Sequence, residues 1–171
     1  MIYQRLFEAK KEKVKSELNE NFYKWFKGSK VIDSKGNPLI CYHGSNTDFD
    51  NFDNSKIKTG WLGKGFYFTD DKKVAKTFGK KIIICYINLK KPYIAESNDP
   101  SSLITELKNK YNLSLEQEND ISIGLKKKGF DGLVYKHWDS TGTFYSVFNP
   151  NQIKSIYNDG SFDSNDKNIY S

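Results

Sequence analysis

A histidine, a Gly-x-Gly loop and a tyrosine follow one another here in an order that suits the breaking of a glycosidic bond. Tyr42-His43-Gly44-Ser45 closes a short apolar run, and Gly63-Lys64-Gly65-Phe66-Tyr67-Phe68-Thr69-Asp70 comes about twenty residues later. Phe78 lies eleven residues past Tyr67, and the run from Tyr145 to Lys154 completes the set. A histidine ending one strand and a tyrosine inside a second could together line a nicotinamide site. Cleaving the bond between nicotinamide and ribose in NAD creates an oxocarbenium-like centre. That reaction needs a clamped leaving group, a held ribose and negative charge near the ribose hydroxyls. His43 can exchange a hydrogen bond with the ribose, and Gly44, lacking a side chain, lets a ligand approach the backbone. By strand alternation Tyr67 faces away from Phe66 and Phe68.

These motifs resemble the ADP-ribosyltransferases of the diphtheria-toxin and poly(ADP-ribose) polymerase type. They are most similar to the small transferase domains of phage and mobile-element polyvalent proteins. The resemblance runs from about Phe22 to Ser155, including the lead-in Trp25-Phe26-Lys27-Gly28-Ser29-Lys30-Val31 and the ending Gln152-Ile153-Lys154-Ser155. It implies an α+β fold of two small, strongly bent β-sheets packed around an NAD cleft, with helices outside, and NAD as substrate without a metal. It also implies a role for each matching residue. His43 would contact a ribose hydroxyl and Gly44 would hold the carboxamide through its backbone. Tyr67 and Phe78 would take the two faces of the nicotinamide, with Ser45 and Gly65 completing the NAD-binding positions. Ala75 falls where the polymerases use serine. In the glutamate-bearing relatives the catalytic acid stands eight residues before the glutamine of the last motif, and counting back from Gln152 reaches Phe144. The implied triad is therefore His43, Tyr67 and Phe144. The nearest acids are Asp131 and Asp139, and Asp139 would need a bulge in the turn up to Gly142 to enter a cleft. The cholera-toxin branch needs an arginine on its first strand, and Arg5 lies too early. Three activities stay open: mono-ADP-ribosyl transfer to a host or phage macromolecule, with an acceptor Asp or Glu supplying the charge; an NAD-binding module without transfer chemistry; or NAD hydrolysis.

The rest of the chain must position these residues. With 171 residues there is room for one domain with a core and little more. Apolar residues are 37% and aromatics 15%, so rings rather than aliphatics should fill that core. The net charge is +6, from 27 basic residues, of which 26 are lysine, against 21 acidic ones. Such a surface suits polyanions, but sequence-specific DNA reading leans on arginine forks, which argues against a nucleic-acid reader. Cys41 and Cys85 sit in apolar strand-like runs and read as small hydrophobes. No apolar run is long enough to cross a membrane and the N-terminus is charged, so a soluble protein that starts in the cytosol is expected, with delivery into another cell left open.

Residues 2–19 read as a loosely amphipathic helix and Phe22 to Lys27 as a second, stopped by Gly28. Residues 34–37 form a hairpin turn, and residues 46–64, polar with scattered aromatics, form a long loop over the site. Strands are expected over 66–69, 81–89, 131–136, 143–149 and 153–157. Helices are expected over 71–78, capped by Thr69 or Asp70 and ended by Gly79, over 100–110 behind Asp99-Pro100, and over 114–128. The organisation expected is a helical segment 1–28, a transferase-like domain 29–157 and a polar, loosely attached tail 158–171.

Overall fold

The computed structural model describes residues 16–57, 59–97, 99–116, 120–136 and 142–171. Most of the expected first helix, Arg5 and Asp139 lie outside the described residues; residues 16–19 are not helical. Helix α1 (Glu20–Phe26) starts where the Asn19 side chain accepts from Phe22 N at 3.0 Å, and it ends before Gly28, at φ 84°. Strand β1 (Cys41–Ser45) leads into the 46–57 loop, which contains a single 3₁₀ turn, Asn54–Lys56. A small hairpin, β2 (Thr59–Gly60) and β3 (Gly63–Lys64), precedes β4 (Phe66–Thr69).

Helix α2 (Lys72–Lys76) is capped by Asp71, not by Thr69 or Asp70: Asp71 Oδ1 accepts from Lys73 N at 2.7 Å. Strand β5 (Lys81–Ile87) and the unforeseen β6 (Pro92–Ile94) follow; proline is tolerated there because β6 is an edge strand. Helix α3 (Pro100–Tyr111) has proline in its first turn and ends at Asn112, which takes the left-handed conformation. Helix α4 (Ile121–Lys127) is half its expected length, since 114–116 are not helical. Strands β7 (Gly132–Lys136), β8 (Thr143–Val147) and β9 (Ile153–Ser155) complete the fold.

Seven strands share one hydrogen-bonded sheet in the order β6-β7-β8-β4-β1-β5-β9, rather than dividing into the two small sheets expected. Every pairing is antiparallel except β6 with β7. One seam differs from the rest. Strands β1 and β4 meet at a single pair, Tyr42 with Thr69, whereas β1 and β5 share five pairs and β4 and β8 share four.

Alternation sorts the aromatic strands onto two cores, as the period of two requires. Phe66, Phe68 and Tyr145 join Ile87, Val147 and Ile169 on one face; Tyr67 and Phe144 join Leu133, Tyr135 and the inner faces of α3 and α4 on the other. A third cluster packs Phe22, Trp25 and Phe26 of α1 on Tyr86, Ile156 and Phe162. The C-terminal segment is therefore not loosely attached: Phe162 and Ile169 are buried, because scattered apolar residues in a polar stretch still find a core. Cys41 and Cys85 face each other across β1 and β5 as buried free thiols, and burial pushes both thiols up, which makes them inert.

Candidate functional site

The one-pair seam opens a cleft. In a continued antiparallel register Gly44 would oppose Tyr67; instead the His43 side chain bridges the gap, with Nδ1 2.7 Å from Tyr67 O. A carbonyl only accepts, so Nδ1 carries the proton and Nε2 is left with the lone pair in the neutral ring. The imidazole sits in an aromatic surround: Phe52 edge-on at 5.1 Å, Phe68 at 5.4 Å and Phe49 at 6.1 Å between ring centroids. Burial holds its pKa below the ordinary 6.5, and the Tyr67 carbonyl opposes this only in part. His43 is thus a neutral hydrogen-bond acceptor at pH 7.

Tyr67 stands beside it on β4. Its hydroxyl donates to Gly63 O and accepts from Leu62 N at 3.1 Å, so it ties down the β2–β3 hairpin. Leu62 is buried against the second core, and Lys64 N donates to Ser122 Oγ at 3.0 Å, so the hairpin is fixed at three points. At Gly60 a Cβ would stand 2.7 Å from the Tyr67 ring, which explains the glycine. The hairpin brings in Trp61, a cleft residue that the sequence reading missed. Its signal was present: a tryptophan and a leucine between two glycines, Gly60-Trp61-Leu62-Gly63, in an otherwise polar stretch.

The opposite wall comes from α2 and β8. Ala75 is buried at the cleft floor, Phe78 is 59% exposed at the mouth, and Phe144 is 7% exposed. Phe144 packs edge-on to Trp61 at 5.6 Å and to Phe78 at 6.5 Å. His43, Gly44, Tyr67, Phe78 and Phe144 thus line one cleft of about 250 Å³. That lies just under the 300–1,000 Å³ usual for small-molecule sites, enough for an aromatic ring and its neighbouring sugar edge.

Ser45 and Gly65 stand outside it. The Ser45 hydroxyl donates to Thr47 O at 2.8 Å and accepts from Thr47 N, closing a turn. Gly65 lies so close to Ser146 Oγ that any Cβ would collide, a packing reason for the glycine. None of the described residues lining the cleft is an acid. Asp131 lies elsewhere, its two carboxylate oxygens accepting from Lys90 N at 2.7 Å and Lys91 N at 3.0 Å. Among the described residues no group of three or more His, Cys, Asp or Glu is placed to hold a metal, and no helix is long and apolar enough to cross a membrane.

A histidine, aromatic walls and a buried alanine thus line one cleft. Residues 33–162 match the family described as "ADP-Ribosyltransferase in polyvalent proteins", well over half of the chain. The chain belongs to that family. An ADP-ribosyltransferase of this kind draws on NAD as donor and passes ADP-ribose to an acceptor. No curated protein is similar in sequence to this chain. Among solved structures it is similar to one titled "Crystal structure of an anti-CRISPR protein", at 12% identity and a TM-score of 0.40, covering 67% of this chain and 91% of that one.

The Tyr67 hydroxyl ties down the hairpin, while its ring lines the cleft, and variants should divide the two. Tyr67→Phe keeps the ring and strands Leu62 N–H and Gly63 O, so it should lower stability by about 1–3 kcal/mol. If the ring stacks on nicotinamide, Tyr67→Ala should in addition remove roughly 1–3 kcal/mol of NAD affinity. Denaturation midpoints read the first effect and calorimetry with NAD reads the second. Equal NAD affinity in the Phe and Ala variants would exclude the stacking role.

Proposed function

We propose that the protein is an NAD-dependent mono-ADP-ribosyltransferase acting on a host or phage macromolecule and releasing nicotinamide. The observation that carries this reading is the convergence of His43, Tyr67 and Phe78 on the cleft opened by the β1–β4 seam. In this reading nicotinamide lies between the Tyr67 and Phe78 rings, with Gly44 backbone groups at its carboxamide. A ribose hydroxyl donates to His43 Nε2. The C1′–N bond breaks, its electron pair leaves on nicotinamide, and the acceptor's nucleophile takes C1′. Phe144 offers no charge to the oxocarbenium centre, so the acceptor supplies it, as an Asp or Glu side chain would. Elongation of a chain is not expected, since none of the described residues of the cleft carries a carboxylate to activate an acceptor ribose.

The same phenylalanine favours a second reading, an NAD-binding module without transfer chemistry. Labelled NAD incubated in host lysate separates them. Label on a macromolecule supports transfer; NAD binding with neither label transfer nor nicotinamide release supports the module. Nicotinamide release in buffer alone marks a glycohydrolase. No NAD binding at all would reject every one of these readings.

The imidazole gives a pH signature. Above about pH 7 the neutral His43 accepts from ribose; as pH falls through its lowered pKa, Nε2 gains a proton and becomes a donor. NAD affinity should therefore be flat near neutrality and fall in acid, and His43→Gln should flatten the profile. The linkage has the same sense for stability. The unfolded histidine binds protons at an ordinary 6.5 and the folded one at a lower value, so stability is full above that range and declines as pH falls through it. Affinity that rises on acidification would contradict the assignment.

A further inference from the structure

The family match ends at residue 162, yet the segment beyond it is knit into the domain through one unusual side chain. Lys154 is 0% exposed, and its ammonium donates to Asp166 O at 3.0 Å and Asn168 O at 2.9 Å. A buried ammonium is tolerated only where its hydrogen bonds are met. Here both acceptors are main-chain carbonyls, so Lys154 fixes the backbone path of 166–168 whatever side chains stand there. Asp159, Asp163 and Asp166 add favourable charge around it, against the burial that pulls its pKa down.

From that anchor the segment reaches the site. Ile169 N donates to Asp50 O and Ser155 N donates to Ile169 O, each at 2.8 Å, and Asn51 pairs with Asn168 in an antiparallel bridge. The buried Ile169 side chain joins the same core cluster as Phe52. Asp50 and Asn51 sit between Phe49 and Phe52, the two rings that stand edge-on to His43. The loop that carries them has only the one 3₁₀ turn of its own, so most of its order comes from outside.

We propose that residues 163–171 are a brace of the NAD site: keyed by Lys154, they hold the 49–52 loop against His43 and so keep its imidazole dry and aimed at Tyr67 O. Lys154 is then a positioning residue that acts on the ribose contact through a tail and a loop. The inference rests on the reading of His43 as the acceptor of a ribose hydroxyl.

The test uses the full chain with His137→Gln, so that a single imidazole reports in proton NMR. The groups facing that imidazole are the Phe49, Phe52 and Phe68 rings and the Tyr67 carbonyl. In this parent His43 titrates below the ordinary value. Adding Lys154→Met, which keeps the length of the side chain and loses the ammonium, should raise the midpoint by roughly half a pH unit or more as water reaches the ring. NAD affinity should fall on the order of tenfold. Glu106→Gln is the control for general destabilisation. Its carboxylate binds Tyr93 and Ser97 at the β6 edge, and it should leave the His43 midpoint in place. A folded Lys154→Met protein with an unchanged midpoint overturns the brace. If Lys154→Met does not fold, hydrogen exchange of the parent decides: the Ile169 amide and the 49–52 amides should open as one unit, and independent opening overturns the proposal. A parent that shows the expected titration but binds no NAD removes the functional reading and leaves the brace standing.

Discussion

Exchanging Phe144 for glutamate is expected to raise NAD hydrolysis by roughly 10²–10³-fold, the usual effect of one electrostatic contact to a developing charge. Position 144 lies in the cleft with His43 and Tyr67, so a carboxylate there would face the ribose in the proposed pose. The surroundings set a condition. Trp61 and Phe78 flank the site, and an apolar setting pushes a carboxyl pKa upward. The gain should therefore appear as pH rises and the introduced acid ionises. Losing the buried ring costs about 3–5 kcal/mol, a large part of the 5–15 kcal/mol that typically holds a domain together. Phe144→Leu, which keeps an apolar side chain, is the control, and thermal melts of both variants show whether the fold survives. Nicotinamide release is the readout. Equal release by the folded Glu and Leu variants would sink the idea that only the anion is missing.

Gly44→Ala should be strongly destabilising. A Cβ at position 44 would be driven into the Ala75 carbonyl oxygen and would stand 3.1 Å from Gly79 N. Both neighbours are backbone, and backbone cannot rotate aside. Gly79 answers from the other side, since its own Cβ would collide with the Ser45 main chain. Strand β1 and the α2 region thus touch through two glycines. Overpacking of this kind costs about 1–3 kcal/mol and sometimes more. The expected result is destabilisation at the top of that range, with NAD binding lost as α2 carries Ala75 and Phe78 away from the strand. Denaturation midpoints and calorimetry would show it. A Gly44→Ala protein as stable as the parent would mean that the seam has slack the close approach does not suggest.

Much of this was legible from residue types. The Phe66-Tyr67-Phe68 alternation predicted that Tyr67 packs on the core opposite its two neighbours, and the Asp99-Pro100 signal located α3 because capping and proline placement are local effects. What failed was set by partners distant in the chain. Gly79 resembles a helix stop, but it is glycine because Ser45 passes close by. Gly65 lies against Ser146, a neighbour that no local pattern announces. The polar tail resembles a loose end because its two anchors, Phe162 and Ile169, are spaced without a period. Trp61 escaped notice for the opposite reason: its place in the cleft depends on a hairpin of two-residue strands, too short for any periodicity to reveal.

A sheet stitched at one place by a single pair of residues, Tyr42 with Thr69, has a crease there. Elsewhere, bending strains a ladder of several residue pairs; along the crease it strains one pair and the His43 contact to Tyr67 O. The halves on either side carry different parts of the site, His43 and Gly44 on one, Tyr67 and Phe144 on the other. Slow collective motion, on the microsecond-to-millisecond scale of hinges, should therefore collect in the opening angle between them. The aperture set by that angle, rather than the cleft's resting shape, then decides how bulky a molecule the cleft can admit.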